Sequence, residues 1–558
     1  MRKLLFTALS VLTLAATIAT GLPALADDPA DGAAGKTQSV EDRHKDATAA
    51  EVETGWARAP VKETATATSH QITVAGKVLH YTATAGTLTL RDDEGKPTGS
   101  MFYVAYTLDG ADAGGAARPV TFFYNGGPGS SSIWLHMGSF APMRVRTSNP
   151  ETIRPAPFAF GPNEQTLLDK TDLVFLDAMG TGFSRPLGAT ENKAFWGVDQ
   201  DADAFARGII RYVTRNSRWN SPKFLFGESY GTTRSAALAY QLQDRGMALN
   251  GVVLLSSILN FGVETPGYDE VYIGYLPSYA ATAWYHNKVP NRPADVATFV
   301  EQARQFALGP YAAALAKGHN ISPAERDAIA QQMSAFTGLS PDFIKRANLR
   351  VDLDRFQKEL LRDQRLTVGR FDSRYTGVDT DAAGSSPDYD PSDTAISGAF
   401  ISTFSDYLTK ELKYQTDMPY RVAAYGLKEF DWDWKHKPPT GGDAETTPDV
   451  ALDLAAAMRT NPYLHVMSAN GYYDMATPFT STEYDLSHMM LEPQQQKNLE
   501  FRYYPSGHMV YLNPEALRQL HADVADFIDR SVASAERGGL DRASPVPAGK
   551  PHGPAATP

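Results

Sequence analysis

The stretch KFLFGESYGTTRSAALAYQL (223–242) decides the fold. Phe224, Leu225 and Phe226 make a short continuous apolar run, the pattern of a strand buried on both faces. Ala236, Ala237, Leu238, Tyr240 and Leu242 then suit a helix packed on a sheet. Between the two lies Gly227-Glu228-Ser229-Tyr230-Gly231, a G-x-S-x-G match in the strand-turn-helix setting of a nucleophile elbow. With 44 glycines in 558 residues the pentapeptide alone is weak, so the setting carries the reading. The serine of such an elbow sits in a strained turn, and side chains at the flanking glycines would collide with strand and helix.

Further apolar runs occur upstream and downstream, VTFFY (120–124), DLVFLD (172–177) and GVVLLSS (251–257), separated by segments long enough for helices. Before them, the alternations in ITVAGKVLHYTATAGTLTLRD (72–92) and SMFYVAYTL (100–108) predict antiparallel hairpins. From about Leu259 to Asp443 the strand rhythm stops, and PADVATFVEQARQFALGPYAAALAKG (293–318) and SPAERDAIAQQMSAFTGL (322–339) read as helices. Strands resume at YLHVMSA (463–469) and LEFRYYP (499–505), and Asn513-Pro514 opens a final helix as N-cap and first-turn proline. The expected fold is the α/β-hydrolase fold: a mostly parallel central sheet, helices on both faces and a largely helical cap insertion. The division is a core of 56–258 and 444–537 with the cap at 259–443; a disordered lead-in spans 27–55 and a disordered tail 538–558.

A serine hydroxyl is a poor nucleophile and needs a base in hydrogen-bond reach, oriented by a third group. In this fold the chain order is Ser, acid, His, with the partners in loops after late strands. Asp474 follows the strand 463–469, and His508 follows 499–505 in a loop before the last helix. The competing Asp485 lies farther from the strand end, while His465 is within a strand, His521 within the final helix and His488 outside any loop signal. Ser229, Asp474 and His508 are therefore the expected triad. Asn125-Gly126-Gly127-Pro128-Gly129 follows VTFFY, where this fold supplies one oxyanion donor; the N–H groups of Gly127 and Tyr230 are the expected pair.

These motifs resemble the serine carboxypeptidase family. The resemblance rests on NGGPGSSS (125–132), LDAMGTGFSR (176–185), GESYG (227–231), NGYYD (470–474) and SGHMVY (506–511). It implies a peptidase that removes C-terminal residues at acidic pH through the same triad. It also implies that Asn125, the N–H of Gly126 and the carboxyl of Glu228 grip the substrate's terminal carboxylate. Two departures stand out: Ser130 replaces a disulfide-forming cysteine of eukaryotic members, and Ser139 replaces a second glutamate that pairs with the one beside the nucleophile. The alternatives are an esterase or acyltransferase on the same triad, and a catalytically silent binding protein.

Composition narrows the rest. A net charge of −12 without a basic stripe argues against nucleic-acid binding. Residues 1–26 carry Arg2-Lys3, an apolar run and Ala24-Leu25-Ala26, the marks of a cleaved leader; a membrane anchor is the alternative reading. The expectation is an exported protein, periplasmic or extracellular, acting on peptides without stable membrane association. The chain has no cysteine, so burial alone must hold the fold. Neither a cofactor nor a metal is expected, because the mechanism needs none and no H-x-x-x-H pair or ligand cluster is present.

Overall fold

A computed structural model describes residues 61–110, 118–264, 267–290 and 292–538. The expected leader, the lead-in and nearly all of the expected tail lie outside these residues. The sheet contains β1 (Ala65–Val74), β2 (Lys77–Arg91), β3 (Pro97–Leu108), β4 (Val120–Tyr124), β5 (Asp172–Leu176), β6 (Lys223–Ser229), β7 (Gly251–Ser257), β8 (His465–Gly471) and β9 (Leu499–Tyr504). Their spatial order is β1-β2-β3-β5-β4-β6-β7-β8-β9. β1 to β3 form an antiparallel meander, β5 pairs antiparallel with β3, and β5 through β9 run parallel. The first hairpin turns at Ala75-Gly76 with φ of 48° and 79°, and this positive-φ pair matches the right-handed strand twist.

The helices that frame the site are α1 (Ile133–Gly138), α2 (Val198–Arg215), α3 (Tyr230–Asp244), α4 (Glu270–Tyr285), α5 (Val296–Phe306), α6 (Pro323–Thr337), α7 (Ser397–Lys410), α8 (Ala451–Thr460), α9 (Phe479–Ser487) and α10 (Pro514–Gly538). The strands point alternate residues to opposite faces. Leu225, Val252 and Leu254 meet α2, α3 and α8, while Phe224, Phe226, Val253 and Leu255 meet α1, α7 and α10. Double coverage is why these strands read as unbroken apolar runs. This is the α/β-hydrolase fold.

Between β7 and β8 the chain first forms helices with a core of their own, in which Leu276, Tyr279, Phe306, Met333 and Phe356 pack together with Met475 from the loop after β8. Helical structure is interrupted between α7 and α8. Residues 411–450 form an irregular strap that crosses the loop after β4, with Ser131 N–H donating to Val422 O (2.8 Å) and Ala424 N–H to Gly129 O (2.7 Å). The parallel strands all end on the edge that this insertion covers, so the loops after β4, β6, β8 and β9 converge there.

Candidate active site

β6 ends on Ser229 and α3 begins at Tyr230. Ser229 has φ 61° and ψ −132°, a left-handed backbone that costs a non-glycine residue on the order of 1–3 kcal/mol. A Cβ on Gly227 would lie 2.2 Å from Gly231 O, so the chain reverses this sharply only with glycine there. The turn is tied further by the Thr232 hydroxyl, which donates to Ser229 O at 2.7 Å.

The loop after β4 lies directly against this turn, since a Cβ on Gly126 would come within 2.4 Å of Tyr230 N. Gly127, the next residue, has φ +111°. Tyr230 opens α3, so its N–H has no acceptor within the helix. Beneath the turn, the buried Arg234 pairs with Asp201 at 2.6 Å and donates to Asn125 O at 2.7 Å, joining α2, α3 and the β4 loop. Nothing in the sequence pattern marks this ion pair.

The loops after β8 and β9 bring Asp474 and His508 together. His508 Nδ1 lies 2.8 Å from Asp474 Oδ2, and both side chains are buried. Asp474 Oδ1 accepts from the N–H groups of Ala476 (2.8 Å) and Thr477 (3.0 Å), and the Thr477 hydroxyl donates to Asp474 Oδ2 at 2.8 Å. Burial works against a charged imidazole, but the charge and hydrogen bond of Asp474, with Glu228 behind them, hold His508 above the usual histidine range. Asp485 does not join this group; its Oδ2 accepts from Asn260 N–H at 3.2 Å. Ser256, at φ 52° in a break of the β6–β7 register, donates its hydroxyl to His508 O at 2.6 Å.

A second cluster adjoins the elbow. Glu228, Asn125 and Tyr511 are all buried, and the Tyr511 hydroxyl faces both the Glu228 carboxyl and the Asn125 side chain. Leu135 N–H donates to Asn125 Oδ1 at 2.9 Å, which leaves the Nδ2 group to face Glu228 and Tyr511 as a donor. Glu228 Oε2 and the Tyr511 hydroxyl have no well-formed hydrogen bond of their own. Burial pushes the Glu228 carboxyl up to about 7; His508, Tyr511 and Asn125 oppose that rise and Asp474 adds to it. Ser139 turns away, donating its hydroxyl to Leu135 O at 2.5 Å. Its neighbour Gly138 has no side chain, so the Tyr511 ring packs where a Cβ would stand only 2.5 Å from it. A tyrosine hydroxyl thus faces Glu228 in a site where the family resemblance implies a second carboxyl.

The insertion contributes residues that no motif marks. Segment 370–374 lies between the loops after β8 and β9: Met475 N–H donates to Arg370 O (3.1 Å), His508 N–H to Phe371 O (2.6 Å) and Ser373 N–H to Tyr473 O (3.0 Å). Arg374 pairs with Asp372 at 2.6 Å and donates to Pro505 O at 3.0 Å. The Phe371 ring lies 5.1 Å from the imidazole of His508. Farther along, Trp432 and Trp434 of the strap pack against Tyr230 at 5.3 and 6.2 Å. His436 anchors that strap between Asp199 (2.6 Å) and Asp453 (2.8 Å). Burial disfavours its charge, but the two carboxylates outweigh that and push it up to about 10.

With this geometry established, comparison with known proteins gives one family. Residues 76–287 match the family model described as serine carboxypeptidase. No curated protein sequence matches the chain. Among solved structures, the proline iminopeptidase of Mycobacterium smegmatis is 15% identical with a TM-score of 0.32, over 80% of this chain and 99% of that one. A thermostable carboxyl esterase of Bacillus coagulans is 11% identical with a TM-score of 0.32, over 80% and 98%. A soluble variant of the monoglyceride lipase of Saccharomyces cerevisiae is 11% identical with a TM-score of 0.31, over 80% and 96%. At such values neither substrate nor reaction passes from those proteins to this chain.

Proposed function

We propose that this chain, which belongs to the serine carboxypeptidase family over residues 76–287, is a hydrolase that removes the C-terminal residue of peptides. In this reading Ser229 Oγ attacks the last peptide carbonyl while His508 takes its proton. Asp474 holds the imidazole, and the N–H groups of Gly127 and Tyr230 receive the oxyanion. His508 then protonates the leaving amine, and water hydrolyses the acyl-enzyme by the same steps in reverse order of roles.

The observation that carries the exopeptidase reading is the buried Glu228, Asn125, Tyr511 cluster beside the nucleophile. A protonated Glu228 shares its proton with a substrate carboxylate, whereas an ionised one repels it. Burial already favours the protonated form up to about pH 7. Asn125 Nδ2, the Gly126 N–H and the Tyr511 hydroxyl add neutral donors. Protonating Glu228 removes one of the charges that raise His508 but leaves Asp474 in place, so carboxylate binding and a neutral base make opposing demands on pH and the profile reflects coupled groups.

The test compares a free-acid peptide with its C-terminal amide at pH 4 to 8, alongside a Ser229→Ala control, following released residues by mass spectrometry. Stepwise loss from the free acid alone is expected. Equal cleavage of the amide would overturn the carboxylate role. Hydrolysis of acyl esters with every peptide intact would move the function to an esterase or acyltransferase. Export is part of the same proposal; a cleaved N-terminus near Asp27 in the mature protein is the expected outcome, and an intact leader on secreted material would contradict it.

A further inference from the structure

A cavity of about 210 Å³ lies between the first turn of α4 and α9, on the strand-end edge that carries Ser229. Its walls are of two kinds. Ile273, Ala312 and Leu308 are apolar, and Leu308, 54% exposed, stands at the mouth. Glu270 and Thr480 supply oxygen, and both Glu270 Oε2 and Thr480 Oγ1 are buried atoms with no hydrogen-bond partner. Thr480 itself is only 3% exposed.

A carboxylate oxygen removed from water without a donor is costly, and a cation is what satisfies it. The first turn of a helix tolerates an acid at Glu270 but leaves Oε2 unmet. The cations nearby are committed elsewhere: Arg350 to Asp269 at 2.7 Å, and Arg304 to Glu483 at 2.9 Å. Glu270 and Asp485 both act on Tyr484, another wall residue, so the local field is negative.

The cavity is near the reacting centre. Ser257 is the register partner of Ser229, and Ser257 O accepts from the hydroxyl of Thr482 on α9 at 2.9 Å. Thr480 is three residues beyond Thr477, whose hydroxyl holds Asp474. One strand spacing, one hydrogen bond and one helical turn are together roughly 13 Å. Two extended residues and the stem of a lysine side chain cover about that distance. The carboxylate-gripping cluster lies on the β4 side of Ser229 and the cavity on the β7 and β8 side. A peptide with its C-terminus in the first therefore runs toward the second.

We propose that this cavity takes the cationic side chain of a lysine or arginine two or three residues before the C-terminus, with Glu270 as counter-ion, Thr480 as a second acceptor and the apolar walls along the aliphatic stem. The assignment rests on the carboxypeptidase reading. The experiment compares free-acid peptides that differ only in lysine, norleucine or glutamate at these positions. Wild type is expected to show at least a tenfold higher kcat/KM for lysine. Glu270→Gln abolishes that advantage while leaving the norleucine peptide within twofold, and Glu270→Lys shifts the preference to glutamate. No lysine preference, or one that survives Glu270→Gln, overturns the site. Calorimetric titration of the Ser229→Ala protein with n-hexylammonium separates the two readings. If no peptide is trimmed yet binding is lost with Glu270→Gln added, the peptidase reading fails and the cation site stands. Absence of binding, or binding unaffected by Glu270→Gln, overturns the site whatever the peptides show.

Discussion

Ser229 and His508, the proposed nucleophile and base, are held in different ways. Around Ser229 the determinants are close in sequence: Gly227, Gly231 and Thr232, with Gly126 of the adjacent strand's loop lying alongside. Around His508 they come from across the chain. Segment 370–374 bonds to the backbone of the loops after β8 and β9, and Arg374 reaches Pro505 across 131 positions of sequence. A sharp backbone turn is a local steric problem that glycine solves. Holding two loops from distant parts of the chain beside one another requires a rigid body between them, and here the insertion supplies segment 370–374.

The largest expected effect tests the local side. Ser229→Ala should lower kcat by roughly 10⁵- to 10⁶-fold on peptide and ester alike, with little change in thermal unfolding because alanine inherits the same backbone. Residual activity within tenfold of wild type would place the chemistry elsewhere. Arg374→Met tests the distant side. Removing one partner of a buried ion pair costs about 3–5 kcal/mol, and misplacing the base should reduce kcat about 10- to 100-fold with KM for a small acyl ester nearly unchanged. An unaltered kcat would erase the contrast between the two regions.

Glu228→Gln sharpens the contrast through pH. For wild type, KM for a free-acid peptide should rise as pH passes about 7, because Glu228 then ionises and repels the carboxylate. The glutamine variant should lose this dependence, and an amidated peptide should never show it. Stability carries the same sign. A carboxyl raised above its unfolded value keeps its proton longer when folded, so wild-type stability falls between about pH 4.3 and 7 relative to the variant. Urea unfolding of both proteins at pH 5 and 8 checks this.

The smallest effect concerns the strap. His436→Gln should destabilise by roughly 1–3 kcal/mol at pH 6. The folded pKa of about 10 lies above the unfolded value near 6.5, so this contribution is complete below the lower value and fades as pH rises toward the upper one. Melting curves of wild type and variant should converge between pH 7 and 10. Constant separation would mean that His436 acts by packing and not by charge.

The sequence by itself determined the sheet and the elbow. Runs such as VTFFY and KFLFG declare strands buried on both faces, and GESYG placed after one of them declares a turn that only glycine-flanked serine can make. It also placed Asp474 and His508 in loops after late strands, since strand ends and chain order are local and sequential facts. The tertiary structure alone decided what surrounds them. Tyr511 facing Glu228, Arg234 under Asn125, segment 370–374 between the loops after β8 and β9 and Glu270 Oε2 buried without a partner leave no periodicity or spacing to read. The physical reason is that backbone conformation is set by neighbours along the chain, whereas burial, charge and hydrogen-bond partners are set by whichever segments folding brings into contact.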